Sequence, residues 1–322
     1  MSRARKIIKR TLITLVSLAI VGGLYLSWWS AGLLVNKPIA QRYDFCSGDA
    51  RFCVAPMLDK FGMSEDKVEV SLTSFDGTQL KGLYFPSKNG AAVIVQHGYG
   101  GHRGAVMHIA HMLYQQGFGV VTMDLRAHGK SGGELVTFGR DESKDMQFVF
   151  DFLKNRAEVD PEKIGIYGWS LGGATVLLHG ALNNQVKAVV ADSPFDAINI
   201  ENMQEFTDAF WPLPSLIKYF SSVRSGVDFE QEAPIAHLET YQNKPLFVLI
   251  AGADTVVEAG SGERLVEAIN NPNVQIWREP TFGHVRFSFD APEKFATDVG
   301  AFFAKHLQPN QIVVAENQQL AE

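Results

Sequence analysis

Cysteine is almost absent from this chain: 322 residues carry two, Cys46 and Cys53, in CSGDARFC. No histidine lies within thirty residues of the pair, so a four-ligand zinc site has nothing to complete it. A short disulfide loop is the expected state, with free thiols as the alternative. A basic surface is missing too. The 29 Lys and Arg against 35 Asp and Glu give a net charge of −6, which argues against nucleic acid as a partner. Hydrophobic residues at 46% argue against a disordered chain. Charge of either sign vanishes between Thr11 and Asn36, TLITLVSLAIVGGLYLSWWSAGLLVN. Acid is absent from the ten residues before it, MSRARKIIKR, which hold five bases. Without those five, 24 basic residues face 35 acidic ones, a net of −11.

An uncharged apolar run of this length is long enough to cross a bilayer as a helix. From Leu12 to Trp29 such a helix rises roughly 27 Å, and Trp28 and Trp29 then fall where an aromatic belt sits. Residues 1–36 are therefore expected to be a basic flank that stays in the cytoplasm and a transmembrane signal-anchor. The rest would lie on the periplasmic or extracellular side. A cleaved signal peptide is the alternative, since Ser30-Ala31-Gly32 offers small residues for processing. Its apolar core, however, is usually only about 7 to 15 residues.

Beyond an expected linker, 37–66, the pattern changes to short strands. KVEVSLTS, the turn FDGTQ and LKGLYFP read as a hairpin. AAVIVQ, VVTMD, KIGIYG, KAVVAD, PLFVLIAG and NVQIWRE are compact β-branched runs of the kind buried in a parallel sheet. Helical periodicity fills the gaps around 105–116, 142–155, 171–182, 262–269 and 292–306. The expectation over 67–307 is an α/β fold, a mostly parallel eight-stranded sheet with helices on both faces. One connection is oversized. Between KAVVAD and PLFVLIAG about fifty residues intervene, including the apolar FWPLPSLIKYF, where roughly 10 to 15 would cross back. Residues from about 195 to 240 are expected to form a lid over a pocket, the alternative being helices packed on the scaffold. The tail, 308–322, lacks core signals and is expected to be mobile.

Two G-x-S-x-G matches compete for a nucleophile, GWSLG with Ser170 and GKSGG with Ser131. Ser170 follows the strand KIGIYG and precedes the helix LGGATVLLHGAL, the context of a nucleophile elbow. There the hydroxyl stands above the sheet edge at a helix N-terminus, and Gly168 and Gly172 let neighbouring backbone approach. Ser131 sits in a loop seven residues past its strand. A serine hydroxyl needs an imidazole base oriented by a carboxylate. Asp254 in AGADTVV and His284 in PTFGHVRF each follow a strand, at the sheet edge where α/β folds carry their sites. Asp192 in VVADSPF is the competing acid. An oxyanion needs backbone N–H donors: Leu171, directly after Ser170, and Tyr99, in the glycine-rich loop HGYGGHRG, are the candidates. His97 and His102 in that loop are read as structural, His97 shaping the loop by hydrogen bonds.

In combination, HGYGG, DLRAHGKSGG, GWSLGG, GADTVV and the pair Gly283-His284 resemble the α/β-hydrolase superfamily over about residues 68–307. The nearest branches are membrane-tethered serine hydrolases of the bud-emergence type and the serine-aminopeptidase-like type. HGYGG departs from the HGGG loop of many lipases. The resemblance implies Ser170, Asp254 and His284 as a catalytic triad and a structural role for the Ser131 loop; it implies no substrate. The expected activity is hydrolysis of a small-molecule carboxylic ester or thioester, lipids among them, through an acyl-enzyme. A peptidase or amidase on the same triad is the runner-up, and a noncatalytic tethered binding protein is the third reading. This chemistry requires no metal and no organic cofactor, and the membrane is the other expected partner.

Overall fold

The computed structural model describes residues 3–36, 54–199, 213–258 and 260–308. In chain order these form α1 (Arg3–Val35), α2 (Val54–Lys60), β1 (Val68–Thr73), β2 (Gln79–Phe85), β3 (Ala92–Gln96), α3 (Met107–Gln115) and β4 (Gly119–Met123). There follow α4 (Arg140–Lys154), β5 (Ile164–Trp169), α5 (Leu171–Leu182), β6 (Ala188–Asp192) and α6 (Leu213–Ser225). A 3-10 segment (Pro234–Gln242), β7 (Leu246–Ala251), α7 (Ser261–Ile269), β8 (Gln275–Glu279), α8 (Phe287–Asp290) and α9 (Pro292–Leu307) complete the chain. The strands make one eight-stranded sheet of order β1-β2-β4-β3-β5-β6-β7-β8. Only β2 runs antiparallel to its neighbours β1 and β4; the six strands from β4 to β8 are parallel.

The central strands are apolar at every position because both sheet faces are covered. Val93, Val95 and Tyr167 point to one face, against α3 and α9, whereas Ile94 and Ile166 point to the other, against α4 and α5. Alternation is kept in register: Ile94 pairs with Ile166, and Ile166 with Val189. Each such side chain, fully buried, contributes about 1.5–3 kcal/mol of transfer free energy. The parallel strands all end at one edge, so the loops after β3, β5, β7 and β8 meet there.

Part of the expected linker differs. Residues 54–60 form α2, and Leu58 and Met63 are buried in the core on the α3 side. Seven helical residues are too few to display a period, which is why this stretch reads as a connector. Cys46 and Cys53 lie outside the described residues, as do 200–212 of the insertion and 309–322 of the tail.

α1 is long and apolar enough to cross a membrane. Its first 24 described residues are almost wholly exposed, large side chains such as Leu18 and Val21 included. Its last turns are not: Ser27, Ala31, Leu34 and Val35 are buried. Gly23, Ser27 and Ala31 recur every four residues, a small-residue stripe that lets a second helix come close. That helix is α6, which runs beside α1 in the same direction. A Cβ on Gly23 would lie 3.6 Å from Leu213, the Trp28 and Phe220 rings meet edge-on at 5.5 Å, and the Arg224 guanidinium covers Trp28 at 4.5 Å. Around this pair grows a third apolar cluster, in which Ala31 and Leu34 join Phe138, Leu171, Phe195 and Ile217.

A helix leaves its last four carbonyls without N–H donors from its own turns, and in α1 each of them finds a donor. Gly32 O accepts from Asn36 N–H at 3.1 Å, and Val35 O accepts from Val136 N–H at 2.7 Å. The Tyr99 hydroxyl lies 3.1 Å from Leu33 O and 3.0 Å from Leu34 O and shares its proton between them. Tyr99, in the loop after β3, and Val136, in the loop after β4, therefore cap α1.

Candidate active site

Ser170 stands between β5 and α5 with φ 53° and ψ −121°, a left-handed conformation for a residue with a side chain. Such backbone costs on the order of 1–3 kcal/mol and persists only where its surroundings enforce it. Here the Ser170 N–H donates to Asp192 O at 2.8 Å, and Ala174 N–H donates to Ser170 O at 3.0 Å. The glycine after Leu171 allows the turn to sit against β3. A Cβ on Gly172 would fall 2.5 Å from His97 O and 2.6 Å from Gln96 O, both backbone atoms that no rotamer change relieves. Gly172→Ala is accordingly expected to destabilise the fold by about 3 kcal/mol, the upper end of overpacking costs, measured as a lowered midpoint of urea unfolding. A midpoint within error of the wild type would contradict this packing.

The Ser170 hydroxyl lies 2.8 Å from His284 Nε2, and His284 Nδ1 lies 2.6 Å from Asp254 Oδ2. Asp254 Oδ1 accepts from the Val256 and Val257 amides, each at 2.9 Å. With the carboxylate accepting at Nδ1, the proton resides there and Nε2 is left to accept from serine. Ser170, His284 and Asp254 thus form one hydrogen-bonded line across the loops after β5, β8 and β7.

Asp192, the competing acid, takes no part in that line. Its carboxyl is buried and accepts from Tyr167 O–H at 2.8 Å and Ser193 O–H at 2.9 Å. Ser193 Oγ in turn accepts from Val285 N–H at 3.2 Å, so Asp192 braces the loop that carries His284. Burial lifts the Asp192 carboxyl to about 6, against its two hydrogen bonds and nearby His284, which pull it down. Its folded value exceeds the ordinary 3.8, so the folded state holds the proton more tightly. The associated stability is present below the ordinary value, is lost as pH rises to about 6, and is constant above that. Asp192→Asn is expected to remove this dependence. Unfolding measured from pH 4 to 7 should show the variant gaining on the wild type up to pH about 6 and no further; parallel curves would refute it.

The loop after β3 is pinned by two imidazoles. His97 Nε2 accepts from Leu125 N–H at 3.0 Å while its Nδ1 donates to Gly98 O at 2.8 Å. Burial drives its pKa well down, so it stays neutral. His128 Nε2 accepts from Gly100 N–H at 3.0 Å. A Cβ on Gly98 would lie 3.0 Å from Ser170 Cβ, which shows how closely this loop approaches the elbow. Tyr99 belongs to it, and Leu171 is the first residue of α5, whose amides a helix leaves without an internal acceptor. His102 Nδ1 accepts from Gly104 N–H at 3.1 Å. Ser131 is buried and clamped, donating to Asp124 O at 2.7 Å and accepting from Lys81 N–H at 2.9 Å. No grouping of His, Cys, Asp or Glu suited to a metal occurs among the described residues.

A cavity of about 310 Å³ opens over Ser170 and Leu171. Its walls include Phe138, Phe195 and Ile198, together with Ser30, Leu33 and Leu34 of α1. Sequence reasoning missed these last three; the small-residue stripe upstream of them is the signal that a helix packs there.

A family model described as serine aminopeptidase, S33, matches residues 87–233. The uncharacterized protein YqkD of Bacillus subtilis is 27% identical over 214 residues, spanning 64% of this chain and 70% of its own. A thiohydrolase of Aspergillus aculeatus is 31% identical over 131 residues, 39% of this chain and 41% of its own. The solved esterase Pf2001 of Pyrococcus furiosus superposes with a TM-score of 0.65 at 26% identity, covering 78% of this chain and 95% of that one.

Proposed function

Since this chain is a member of the α/β-hydrolase superfamily, we propose that it is a membrane-anchored serine hydrolase cleaving carboxylic esters or thioesters. The observation that carries this is the unbroken line from Asp254 through His284 to Ser170 at the floor of an apolar cavity. His284 Nε2 takes the Ser170 proton as Oγ bonds to the acyl carbon. The negative charge passes to the carbonyl oxygen, where the Tyr99 and Leu171 amides donate to it, each such donor being worth roughly 3 kcal/mol. His284 then gives its proton to the departing alcohol or thiol. Water, deprotonated by the same nitrogen, attacks the acyl-enzyme and releases the acid and free Ser170. Asp254 keeps the imidazole proton on Nδ1 throughout.

The peptidase reading draws on the description of the matching family model. Capture of a free amino terminus, however, calls for an acidic subsite. The carboxylate lining this cavity, Glu258, is already bridged to Arg264 at 3.1 Å, while the remaining walls are mostly apolar, which favours acyl groups. A noncatalytic binding role has no observation in its favour. Parallel turnover of p-nitrophenyl esters, acyl thioesters and aminoacyl amides decides between these; exclusive amide cleavage would reverse the assignment.

In this reading α1 spans the bilayer with its basic start in the cytoplasm, and the catalytic domain is on the other side. Retention of α1 is supported by its buried end. Cleavage at Ser30-Ala31-Gly32 would strip Ser30 from the cavity wall and cut through the contact with α6. The insertion from residue 195, whose Phe195 and Ile198 line the cavity, serves as its cover.

A further inference from the structure

The cavity over Ser170 is shared between the hydrolase domain and the membrane helix. Leu33 and Leu34 of α1 form one wall, Ser170 and Leu171 the floor, and the Tyr99 hydroxyl, on the loop beside Ser170, holds the two leucine carbonyls in place. Trp28 and Trp29 mark the interface end of the span, so Leu34 lies about 8 Å past it, one and a half helical turns. On the membrane side of that level, Leu213 packs beside Gly23, six residues before Trp29 and therefore roughly 9 Å deeper along the axis. The first turns of α6 consequently sit at hydrocarbon depth, and farther along the helix Tyr219, level with Trp29, and Val223, about 6 Å past it, are exposed.

We propose that α1 is a wall of the acyl-binding site and that the substrate is an ester already resident in the bilayer, whose chain slides from the leaflet along α1 and α6 into the cavity. This rests on the reading of Ser170 as nucleophile. An acyl chain entering this way passes from hydrocarbon in the leaflet to a cavity walled by Leu33, Leu34, Phe138 and Phe195. Chain selection is then set by α1 as much as by the catalytic domain.

The full chain is reconstituted in phosphatidylcholine vesicles and followed in three ways. Labelling of Ser170 by a fluorophosphonate tests the underlying chemistry alone; its absence in a folded sample sinks both readings. With labelling intact, 4-methylumbelliferyl esters from acetyl to palmitoyl give a chain-length profile. Leu34→Trp, which fills the cavity, is expected to lower kcat/KM for the palmitoyl ester relative to the acetyl ester about tenfold, and Leu34→Ala, which enlarges it, to shift the profile the opposite way. Opposite shifts are not produced by misfolding, and identical profiles in all three proteins overturn the inference. Finally, the wild type is given a pyrene-labelled long-chain diacylglycerol, which its two chains hold in its own vesicle. Hydrolysis is expected when enzyme and lipid share vesicles and not when they are apart. Equal hydrolysis in both arrangements, or none in shared vesicles while short esters are turned over, overturns the leaflet route and leaves the role of Ser170 standing.

Discussion

Replacing Ser170 with alanine is expected to lower kcat for a p-nitrophenyl ester by about five to six orders of magnitude, the loss found when a triad nucleophile is removed. The reason is atomic. In the proposed mechanism Oγ is the group that bonds to the acyl carbon; His284 Nε2, 2.8 Å from Oγ in the wild type, has no serine proton to take once Oγ is removed. The Leu171 and Tyr99 amides would still polarise a bound carbonyl, so a residual rate of roughly 10³- to 10⁴-fold above water is expected. The elbow itself should survive, because alanine keeps the Cβ and the contacts that hold φ at 53° are made by backbone. An unchanged melting temperature is therefore part of the expectation. Because the residues of a triad act as one unit, Ser170→Ala combined with His284→Ala should be no slower than either alone. Retention of turnover within tenfold of the wild type, in a folded Ser170→Ala sample, would mean that another residue attacks.

Asp254→Asn is expected to cost about four orders of magnitude in kcat, through a misplaced proton. The Asp254 carboxylate receives three donors: Val256 N–H, Val257 N–H and His284 Nδ1–H. An asparagine can give its carbonyl oxygen to the two amides, which leaves its NH₂ facing His284 Nδ1. That nitrogen must then be an acceptor, the ring proton moves to Nε2, and Nε2 is unable to accept from Ser170. Asp192→Asn provides the contrast, since that carboxyl bonds Tyr167 and Ser193 rather than the imidazole. Steady-state kinetics on the two variants separate the acids: the larger loss at Asp192 would reverse their roles.

The parts of the fold that repeat are those that could be read from residues. Strands buried on both faces advertise themselves as AVIVQ or LFVLIA, and α5, the helix after Ser170, spans the same residues in the structure as its periodicity predicts. The meeting of Ser170, Asp254 and His284 could be anticipated because each follows a parallel strand, and parallel strands end together. Two things were illegible for different reasons. α2 is too short to show a period. The docking of α1 onto α6 depends on Gly23, Ser27 and Ala31, whose smallness signals a partner without naming it, and a run of apolar residues bound for lipid looks the same as one that also bears on a catalytic cavity. His97, by contrast, read from HGYGG as shaping its loop by hydrogen bonds, does so by accepting Leu125 N–H at 3.0 Å.

The capped end of α1 has a mechanical consequence. A tether that is flexible where it meets its enzyme lets the catalytic centre sweep a hemisphere above the membrane. A helix whose last three carbonyls are held by Tyr99 and Val136, and whose side lies against α6, fixes both tilt and height. On the proposed chemistry, and wherever α1 lies in a bilayer, the Ser170 hydroxyl then works as a depth gauge: it would meet only acyl bonds presented at one level above the leaflet, and bonds held much higher on a long headgroup would pass out of reach.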